Sequence, residues 1–420
     1  MSFETISIFG LGYIGLPTAA VFASRKIKVI GVDVNQHAVD TINQGKIHIV
    51  EPDLDIAVQS AVTAGYLTAT TQAQAAQAFI VAVPTPFKDD HKPDLSYIRA
   101  ACEAIAPVLE KGNLVILEST SPVGATEQMA SWLAEFRVDL TFPQTDGDNA
   151  DINIAHCPER VLPGHVMHEL VANDRIIGGM SETCAKRSVE LYKTFVKGDC
   201  IVTNARTAEM AKLTENSFRD VNIAFANELS IICDKLDINV WELIQLANRH
   251  PRVNILQPGC GVGGHCIAVD PWFIVDSAPE HAKLIHTARL VNDSKPDWVV
   301  EKVKLKLAEF LTENPEKSAK DVTIACYGIA FKPNIDDLRE SPALEITKEI
   351  ADWFAGEVLV VEPNINELPK SLISTVTLSE IDSARKGADI SVLLVKHEEF
   401  ISIKDVLSTN NTIDTIGMLS

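Results

Sequence analysis

The sequence predicts an α/β protein with two doubly wound, Rossmann-like domains joined by a helical domain that has a long central helix. From residue 5 to about residue 200, short apolar strands alternate with helical stretches, which is the pattern of a parallel sheet covered on both faces. Strand-rich sequence resumes at residue 322, and residues 207–239 have helical periodicity without Pro or Gly. We therefore expect domains at residues 1–205, 206–311 and 312–420.

The expected strands are short apolar runs that end at turn residues or at the start of a helical pattern. In the first region they are residues 6–9, 29–33, 78–83, 114–118, 152–155 and 176–178. In the last region they are residues 322–328, 358–362 and 390–395. The polar stretch at residues 312–320 is the expected linker.

The middle of the expected central helix, residues 221–232, is apolar on more than one face. A helix of this kind is normally covered on both sides rather than lying on a surface. Burial between subunits is one way to cover it. We therefore expect at least a homodimer joined through this helix.

Composition limits the classes of partner. The chain has 420 residues with 46% hydrophobic and 22% charged residues, and a formal net charge of −20, which disfavours nucleic acid. No apolar run approaches the roughly 18 residues of a membrane span, and the first strand begins within five residues of Met1. We expect a soluble cytoplasmic protein with no membrane partner. The eight cysteines form no C-x-x-C pair, so we expect reduced thiols and no metal site.

A glycine-rich motif, GLGYIG, follows the first strand, opens a helix, and precedes a second strand that ends in Asp33. In a dinucleotide site the glycines permit a tight turn and close approach of the pyrophosphate to the helix N-terminus. Asp33 would accept hydrogen bonds from the ribose and repel a 2′-phosphate, which favours NAD over NADP. The alternative is a structural glycine turn in another α/β fold. The expected cofactor-binding residues here are Gly10, Gly12, Tyr13, Ile14, Gly15 and Asp33.

Two hydroxyl residues follow later strands of the same region. Thr85 lies in VPTP and Thr120 in ESTSPVG. Because ligands of open α/β sheets bind at the carboxyl ends of the strands, both are candidates for cofactor contact. The alternative is that they are ordinary turn residues.

The strongest candidate for covalent chemistry is Cys266. It follows Gly263 and Gly264 with only one residue between, and Asp270 lies four residues further on. Backbone amides of such a loop can approach a developing thiolate, which makes this thiol a candidate nucleophile. A single cysteine is otherwise more often buried filler, and Cys260 in the same loop is interpreted in that way.

Further polar residues are candidates for catalysis or anion binding. Lys212 and Asn216 are four residues apart on the central helix and share a face, where they would stabilise an oxyanion. Glu159 follows a strand and would transfer protons, and Lys332 and Arg339 would bind a diphosphate or a cofactor phosphate. The alternatives are a solvated polar stripe, a surface glutamate and a charged loop.

Eight motifs in order across nearly the whole chain resemble the UDP-glucose/GDP-mannose dehydrogenase family. They are GLGYIG, VPTP, ESTSPVG, CPER, AEMAKLTEN, HPRVN, GVGGHCIAVDP and GIAFKPNIDDLRESP. Within that family, His265 before the cysteine and RESPA at residues 339–343 resemble the branch that acts on UDP-N-acetylhexosamines.

The resemblance implies a two-step, four-electron oxidation of the C6 alcohol of a UDP-sugar to a carboxylate, with two NAD and one water consumed. It implies that Asp270 and Lys212 position a water that takes the first proton, that Cys266 forms a thiohemiacetal and then a thioester, and that Lys212 and Asn216 stabilise the oxyanion. Glu159 or Asp270 would assist hydrolysis, and Arg252 would cross into the site of a partner subunit. The substrate-binding residues it implies are Glu159, Arg160, Lys212, Asn216, Arg252, Gly263, Phe331 and Lys332, and Arg339 is assigned to the cofactor.

Two other functions compete with this one. A two-electron β-hydroxyacid dehydrogenase shares the N-terminal fold and the lysine and asparagine, but it needs no thiol and leaves the last domain without a purpose. A non-catalytic sensor of NAD or a sugar nucleotide would tolerate loss of Cys266, Lys212 or Asp270, yet all three are present. The three functions predict two, one or no NADH per sugar.

Overall fold

A computed structural model describes residues 3–49, 51–162, 164–264, 266–409 and 411–420, with the side chain of Asp89 left out. The chain forms two compact units, Met1–Glu215 and Asn216–Ser420. The boundary between them falls inside one continuous helix, Ala205–Lys235. This helix confirms the long helix expected from the sequence.

The first unit is built on a sheet whose strand order, among the described residues, is β3-β2-β1-β4-β5-β6-β7-β8. The order β3-β2-β1-β4-β5-β6 is that of a dinucleotide-binding sheet, in which parallel strands β1 and β4 are neighbours and the order of strand addition reverses between them. The strands are β1 (Thr5–Phe9), β2 (Lys28–Val32), β3 (Leu67–Thr70), β4 (Ala78–Val81), β5 (Leu114–Leu117), β6 (Asn153–His156), β7 (Arg175–Gly179) and β8 (Cys200–Asn204).

Helices cover both faces of this sheet and bury separate apolar clusters. One cluster contains Ile6, Ile8, Phe22 and Leu191, and the other contains Phe79, Val115 and Met129. The helices are α1 (Gly15–Ser24), α2 (Gln36–Asn43), α3 (Leu54–Thr63), α4 (Ser96–Ile105), α5 (Ala125–Phe136), α6 (Pro143–Asp146), α7 (Val166–Ala172), α8 (Glu182–Tyr192) and α9 (Ala205–Lys235).

The first sheet is parallel, as expected from the sequence, except at one pair of strands. β6 and β7 are antiparallel, with Ala155 opposite Gly179. Strands β3 and β8 also escaped the sequence analysis. Three of the five residues of β8 are exposed, so its sequence does not carry the continuous apolar run of a buried strand.

The second unit contains a parallel sheet with the order β11-β10-β9-β12-β13 among the described residues. Its two faces bury apolar clusters around Ile324 and Val392 on one side and Tyr327 and Phe400 on the other. The strands are β9 (Thr323–Tyr327), β10 (Glu357–Val361), β11 (Thr377–Leu378), β12 (Ile390–Leu393) and β13 (Thr412–Asp414).

The helices of the second unit include one long helix, α12, that the sequence analysis missed. The buried face of its first half carries Arg289, Asn292 and Lys295, and Pro296 follows inside the helix. Polar residues on the buried face remove the apolar periodicity by which helices are recognised. The helices after α9 are α10 (Val240–Ala247), α11 (Asp270–Ser277), α12 (Lys283–Glu313), α13 (Pro342–Trp353), α14 (Ile381–Gly387), α15 (Glu398–Ile401) and α16 (Lys404–Leu407).

Candidate active site

The GLGYIG motif forms the turn between β1 and α1. Gly10 has a φ of +87°, and a Cβ there would lie 2.5 Å from the carbonyl oxygen of Ala82. A Cβ on Gly15 would collide with the carbonyl of Gly10, so close packing excludes any side chain at both positions. At Gly12, by contrast, no described atom lies within 4 Å of an added Cβ. The open space in front of Gly12, at the start of α1, suits the pyrophosphate of a dinucleotide.

Asp33 lies at the end of β2 beside this turn. Its carboxylate accepts the backbone N–H of Leu11 at 2.8 Å and the backbone N–H of Asn35 at 2.8 Å. The residue therefore fixes the middle of the glycine turn to the end of β2. This is the location at which a Rossmann-type site binds the adenosine ribose.

Thr85 and Thr120, predicted separately as cofactor contacts, lie together. The Thr85 hydroxyl donates a hydrogen bond to the carbonyl oxygen of Thr120. Ser119 donates to the carbonyl of Val83 at 2.6 Å, so the loops after β4 and β5 are joined by two hydrogen bonds. These hydrogen bonds lie at the carboxyl ends of β4 and β5, in the sheet whose strand β1 leads into the turn that contains Gly12.

Glu159 is a buried carboxylate in an ionic network, not the surface glutamate of the alternative interpretation. One Nη of Arg175 lies 2.8 Å from Glu159, and the other lies 2.9 Å from Glu118. The guanidinium stacks on the Tyr192 ring at 4.3 Å, and the Tyr192 hydroxyl donates to Glu118 at 3.0 Å. A single guanidinium therefore fixes the ends of β5 and β6 through two carboxylates.

Lys212 lies half-buried on α9, close in sequence to two anchoring interactions within the first unit. The Glu209 carboxylate accepts the backbone N–H groups of Gly124 and Thr126 at 2.7 and 2.8 Å and the Thr126 hydroxyl at 2.6 Å. These bonds place Glu209 at the N-terminus of α5, where a negative charge is favoured. Arg160 pairs with Glu215 at 2.7 Å. Both interactions hold the start of α9 against the first sheet.

In the second unit the structure brings Asn216, Asp270 and Cys266 together. The Asn216 amide donates a hydrogen bond to the Asp270 carboxylate, which is 3% exposed. The backbone N–H of Asp270 donates to the carbonyl of Cys266 at 2.8 Å, so α11 begins directly at the turn that carries the thiol. Cys266 is half-buried, whereas Cys260 is buried and burial raises the pKa of its thiol to about 12.

Most of the remaining predicted residues of the second unit lie in the nucleophile loop and in the loop after β9. A Cβ on Gly263 would lie 2.8 Å from the Cβ of Phe331, so the nucleophile loop packs on the loop after β9 that also carries Lys332. Arg339 pairs with Asp337 at 2.6 Å. Arg252 is exposed, while His265 lies outside the described residues.

Three regions of the chain match the domains of one protein family. Residues 4–196 match the NAD binding domain, residues 206–294 the central domain and residues 325–420 the UDP binding domain of the UDP-glucose/GDP-mannose dehydrogenase family.

Similar proteins match over their full lengths. A UDP-N-acetyl-D-mannosamine dehydrogenase of Yersinia pestis is 67% identical over 419 residues, covering 100% of both chains. This chain belongs to the UDP-glucose/GDP-mannose dehydrogenase family. An NDP-N-acetyl-D-galactosaminuronic acid dehydrogenase of Ralstonia nicotianae is 63% identical, covering 100% of this chain and 97% of that one. The solved structure of a UDP-D-ManNAc dehydrogenase from Pyrococcus horikoshii is 39% identical, with a TM-score of 0.87 and coverage of 99% of this chain and 96% of that one.

Membership of this family makes the protein an NAD-dependent oxidoreductase with a UDP-binding domain. In the part of the chain that the structure describes, no helix combines the length and apolar character needed to cross a bilayer. Within the same residues, no group of three or more His, Cys, Asp or Glu side chains has the arrangement of a metal site.

Three buried charged residues of this dehydrogenase were not predicted from the sequence: Glu118, Arg175 and Glu209. Glu118 directly precedes the serine and threonine of ESTSPVG, and Arg175 opens the buried strand β7. A charged residue at the end of an apolar strand is the signal that was available, because a charge is rarely fully buried without a partner. The identity of each partner was not available from the sequence.

We expect Glu118→Gln to change how the stability of the dehydrogenase depends on pH. Burial raises the pKa of Glu118 to about 7, an effect that the nearby Arg175 guanidinium offsets in part. Because this pKa lies above that of the unfolded chain, the stabilising contribution of the protonated acid is complete at low pH and is lost as pH rises through 7. Urea unfolding at pH 5 and pH 8 should show wild type losing stability relative to the variant.

The matched control is Glu127→Gln. Hydrogen bonds from Arg206 lower the pKa of Glu127, so this group titrates below the tested range. Its difference from wild type should stay constant between pH 5 and pH 8. Equal pH trends in the two variants would contradict the assignment of the raised pKa to Glu118.

We expect Asp33→Ala to narrow the preference for NAD over NADP. The carboxylate at the end of β2 would repel a 2′-phosphate, and its removal abolishes that repulsion. The measurement is the ratio of kcat/KM values for the two cofactors.

Asn35→Ala provides a control for loosening of the same loop. The Asn35 side chain caps α2 through the backbone N–H groups of His37 and Ala38 and adds no charge. Its cofactor ratio should match that of wild type. Equal use of NAD and NADP by the unmodified enzyme would refute the ribose assignment.

Proposed function

We propose that this enzyme oxidises UDP-N-acetyl-D-mannosamine at C6 to UDP-N-acetyl-D-mannosaminuronate in two NAD-dependent steps. The observation that carries the proposal is the arrangement of Cys266, Asp270 and Asn216. The half-buried Cys266 lies in the turn that precedes α11, and the buried Asp270 at the start of α11 accepts a hydrogen bond from the Asn216 amide. A thiol is needed only if an aldehyde is retained and oxidised again. NAD supplies the hydride acceptor for both steps.

In the first oxidation the substrate alcohol loses a proton and a hydride. Asp270 and Lys212 position the water that takes the proton. Asp270 suits this role because it is 3% exposed and is oriented by Asn216, so its carboxylate is held in one position. The product of this step is an aldehyde at C6.

In the second oxidation the Cys266 sulfur adds to the aldehyde carbon and forms a thiohemiacetal. The new oxyanion is stabilised by the Lys212 ammonium and the Asn216 amide, which lie one helical turn apart on α9. Loss of a second hydride converts the thiohemiacetal to a thioester. Its hydrolysis consumes one water and returns the thiol.

Glu159 is proposed to orient the hydrolytic water, with Asp270 as the alternative base. The ion pair with Arg175 holds the Glu159 carboxylate at the end of β6. Substrate contacts are proposed for Glu159, Arg160, Lys212, Asn216, Arg252, Gly263, Phe331 and Lys332. Cofactor contacts are proposed for Gly10, Gly12, Tyr13, Ile14, Gly15, Asp33, Thr85, Thr120 and Arg339.

The identity of the sugar rests on similarity. The Yersinia pestis relative, whose name gives UDP-N-acetyl-D-mannosamine as its substrate, supports mannosamine. The product would then serve surface polysaccharide synthesis, with enterobacterial common antigen as the specific proposal. We also propose a cytoplasmic location and a division into domains 1–205, 206–311 and 312–420.

The deciding experiment counts NADH formed per sugar consumed. The enzyme is incubated with NAD and, separately, with UDP-N-acetylmannosamine, UDP-N-acetylglucosamine, UDP-N-acetylgalactosamine and UDP-glucose. We expect two NADH per UDP-N-acetylmannosamine and much lower kcat/KM values for the others. One NADH per sugar would favour the two-electron alternative, and no NADH with any sugar would favour a sensor. Two NADH with a better substrate among the others would overturn only the mannosamine assignment.

We further propose that the enzyme is a homodimer joined through α9. Phe218, Phe225 and Ile232 recur every seven residues and therefore form one stripe along this helix. They are 71%, 51% and 45% exposed in the single chain. Large apolar side chains arranged in a continuous exposed stripe are typical of an interface. The second copy presents the same stripe, as a two-fold contact requires.

We expect Phe225→Glu to convert the dimer into monomers. A carboxylate in the middle of an apolar interface loses hydration without gaining a partner. Sedimentation velocity would measure the change, and loss of activity would accompany it because Arg252 is proposed to act in the partner's site.

Leu305→Glu is the matched control, since Leu305 is a 57% exposed apolar residue on α12, outside the stripe. It should remain a dimer. A wild-type enzyme that sediments as an active monomer would refute the interface and the role of Arg252 in the partner's site.

A further inference from the structure

The inner face of α9 in the second unit carries polar side chains that pair with polar side chains of α12. We name this arrangement the polar seam. Each member is at most 8% exposed. Its members are Asp220, Asn227 and Ser230 on α9 and Arg289, Asn292 and Lys295 on α12.

The polar seam is a connected set of hydrogen bonds. Arg289 pairs with Asp220 at 2.5 Å, and the Asn292 amide donates to the same carboxylate oxygen at 2.8 Å. Asn227 donates to Asn292 Oδ1 at 2.9 Å. Lys295 Nζ donates to the Ser230 hydroxyl at 2.6 Å, and this hydroxyl donates to the Asn227 carbonyl at 2.6 Å. Buried groups that share such partners strengthen one another's hydrogen bonds and resist rearrangement.

Asn227 also connects the seam to the loop that carries the nucleophile. Its Oδ1 accepts the backbone N–H of Gly259 at 2.9 Å while its Nδ2 donates to Asn292. The two bonds require opposite ends of the amide, so the side chain has one productive orientation. The start of the loop is therefore fixed to the seam.

The loop itself has little room to move. A Cβ on Gly261 would lie 2.7 Å from Pro342, and one on Gly264 would lie 2.9 Å from the Phe331 ring. The backbone N–H of Gly264 donates to the carbonyl of Arg339 at 3.2 Å. The backbone between Gly259 and Gly264 therefore has few alternative positions.

The same face of α9 holds both ends of this segment. Asn227 binds its start at Gly259, and Asn216 binds its end at Asp270. Residues 216 and 227 are separated by about three helical turns, which places both side chains on one face of the helix. Cys266 lies between the two attachment points.

We propose that Asn227 is a positioning residue that sets the location of the Cys266 sulfur for the second oxidation. This inference rests on the proposed function. The first oxidation removes a hydride from an alcohol without using the thiol, whereas the second requires the sulfur to form a bond to the aldehyde carbon. A misplacement of about 1 Å costs on the order of 10²-fold in rate when reacting atoms must meet. Loss of the Gly259 bond therefore slows the second step selectively.

The test measures the two steps separately in the full-length enzyme. With UDP-N-acetylmannosamine, NAD and hydroxylamine, Asn227→Ala is expected to give fewer than two NADH per sugar and to release aldehyde that is trapped as an oxime. The KM for NAD should stay near the wild-type value. Asn222→Ala is the control on the same helix, because the Asn222 amide donates to the Phe218 carbonyl of α9 itself and is not a member of the polar seam. This variant should keep two NADH per sugar.

A second pair of variants removes the same hydrogen bond from its other side. Gly259→Pro eliminates the N–H donor, and Gly259→Ala retains it. A Cβ at this position meets only the Gly261 carbonyl at 4.0 Å among the described atoms, so the alanine side chain fits without a collision. Aldehyde release is expected from the proline variant and not from the alanine variant.

The outcomes distinguish this inference from the proposed function. Aldehyde release by Asn227→Ala and Gly259→Pro, with two NADH from wild type, supports the positioning role. Two NADH and no trapped aldehyde from both variants, with a reduced overall rate or a lower Tm, overturns it and leaves a structural role. One NADH per sugar from wild type would instead overturn the thioester mechanism.

Discussion

The Cys266→Ser variant is expected to lose complete oxidation, with carboxylate formation falling by roughly 10³-fold or more. A serine hydroxyl has a far higher pKa than a thiol, so it does not form the covalent adduct with the aldehyde at a useful rate. The variant should still bind NAD and the UDP-sugar, because Cys266 lies outside the GLGYIG turn and is not one of the candidate phosphate-binding residues, Lys332 and Arg339. Quantifying the hexuronate product and NADH in parallel would measure the loss.

Cys260→Ser is the matched control from the same loop. The Cys260 thiol is 7% exposed, its pKa is raised to about 12 by burial, and it donates to the carbonyl of Leu394 at 3.5 Å. A hydroxyl can make the same hydrogen bond, so activity should stay close to wild type. Equal losses in the two variants, or full turnover by Cys266→Ser, would rule out the covalent mechanism.

The Arg175→Met variant is expected to lower the free energy of unfolding by about 3–5 kcal/mol, the range for breaking a buried ion pair on one side. Methionine fills part of the space but leaves Glu118 and Glu159 buried without their shared cation. The loss should be greater at pH 8 than at pH 5, because protonation relieves a buried carboxyl at low pH. Urea unfolding followed by circular dichroism gives both values.

Arg206→Met tests whether any arginine–glutamate pair in the first unit has this effect. Arg206 pairs with Glu127 at 2.7 Å, but its side chain is 60% exposed. Exposed pairs of this kind contribute little to stability. Adding Glu118→Gln to Arg175→Met should restore part of the lost stability, and failure to do so would contradict the shared-cation interpretation.

Several features of the fold follow from local sequence. The motif at Gly10–Gly15 and the acid at Asp33 predicted a turn that the structure forms, because backbone crowding at Gly10 and Gly15 permits no side chain. Helix α9 was predicted from its periodicity. Helix α12 was not, because Arg289, Asn292 and Lys295 interrupt its apolar face and only their partners on α9 make their burial favourable.

The candidate site also has features that the sequence predicts and features that only the tertiary structure shows. The sequence by itself determined which residues are chemically suited to the reaction: the thiol Cys266, the carboxylates Asp270 and Glu159, and the glycines of the dinucleotide turn. Their types and their close neighbours are sufficient for that inference, since a turn, a helix face or a glycine-rich loop is a property of adjacent residues. The family resemblance extended it to the whole chain.

Only the tertiary structure decided how these groups are held. Arg175 meets Glu118 across 57 positions of sequence, and Asn227 meets Gly259 across 32. No local pattern records such pairs, because each arises when strands or helices distant in sequence pack and leave polar groups without water. A buried polar group without a hydrogen-bond partner costs free energy, so the fold is stable when it places a complementary group at hydrogen-bonding distance.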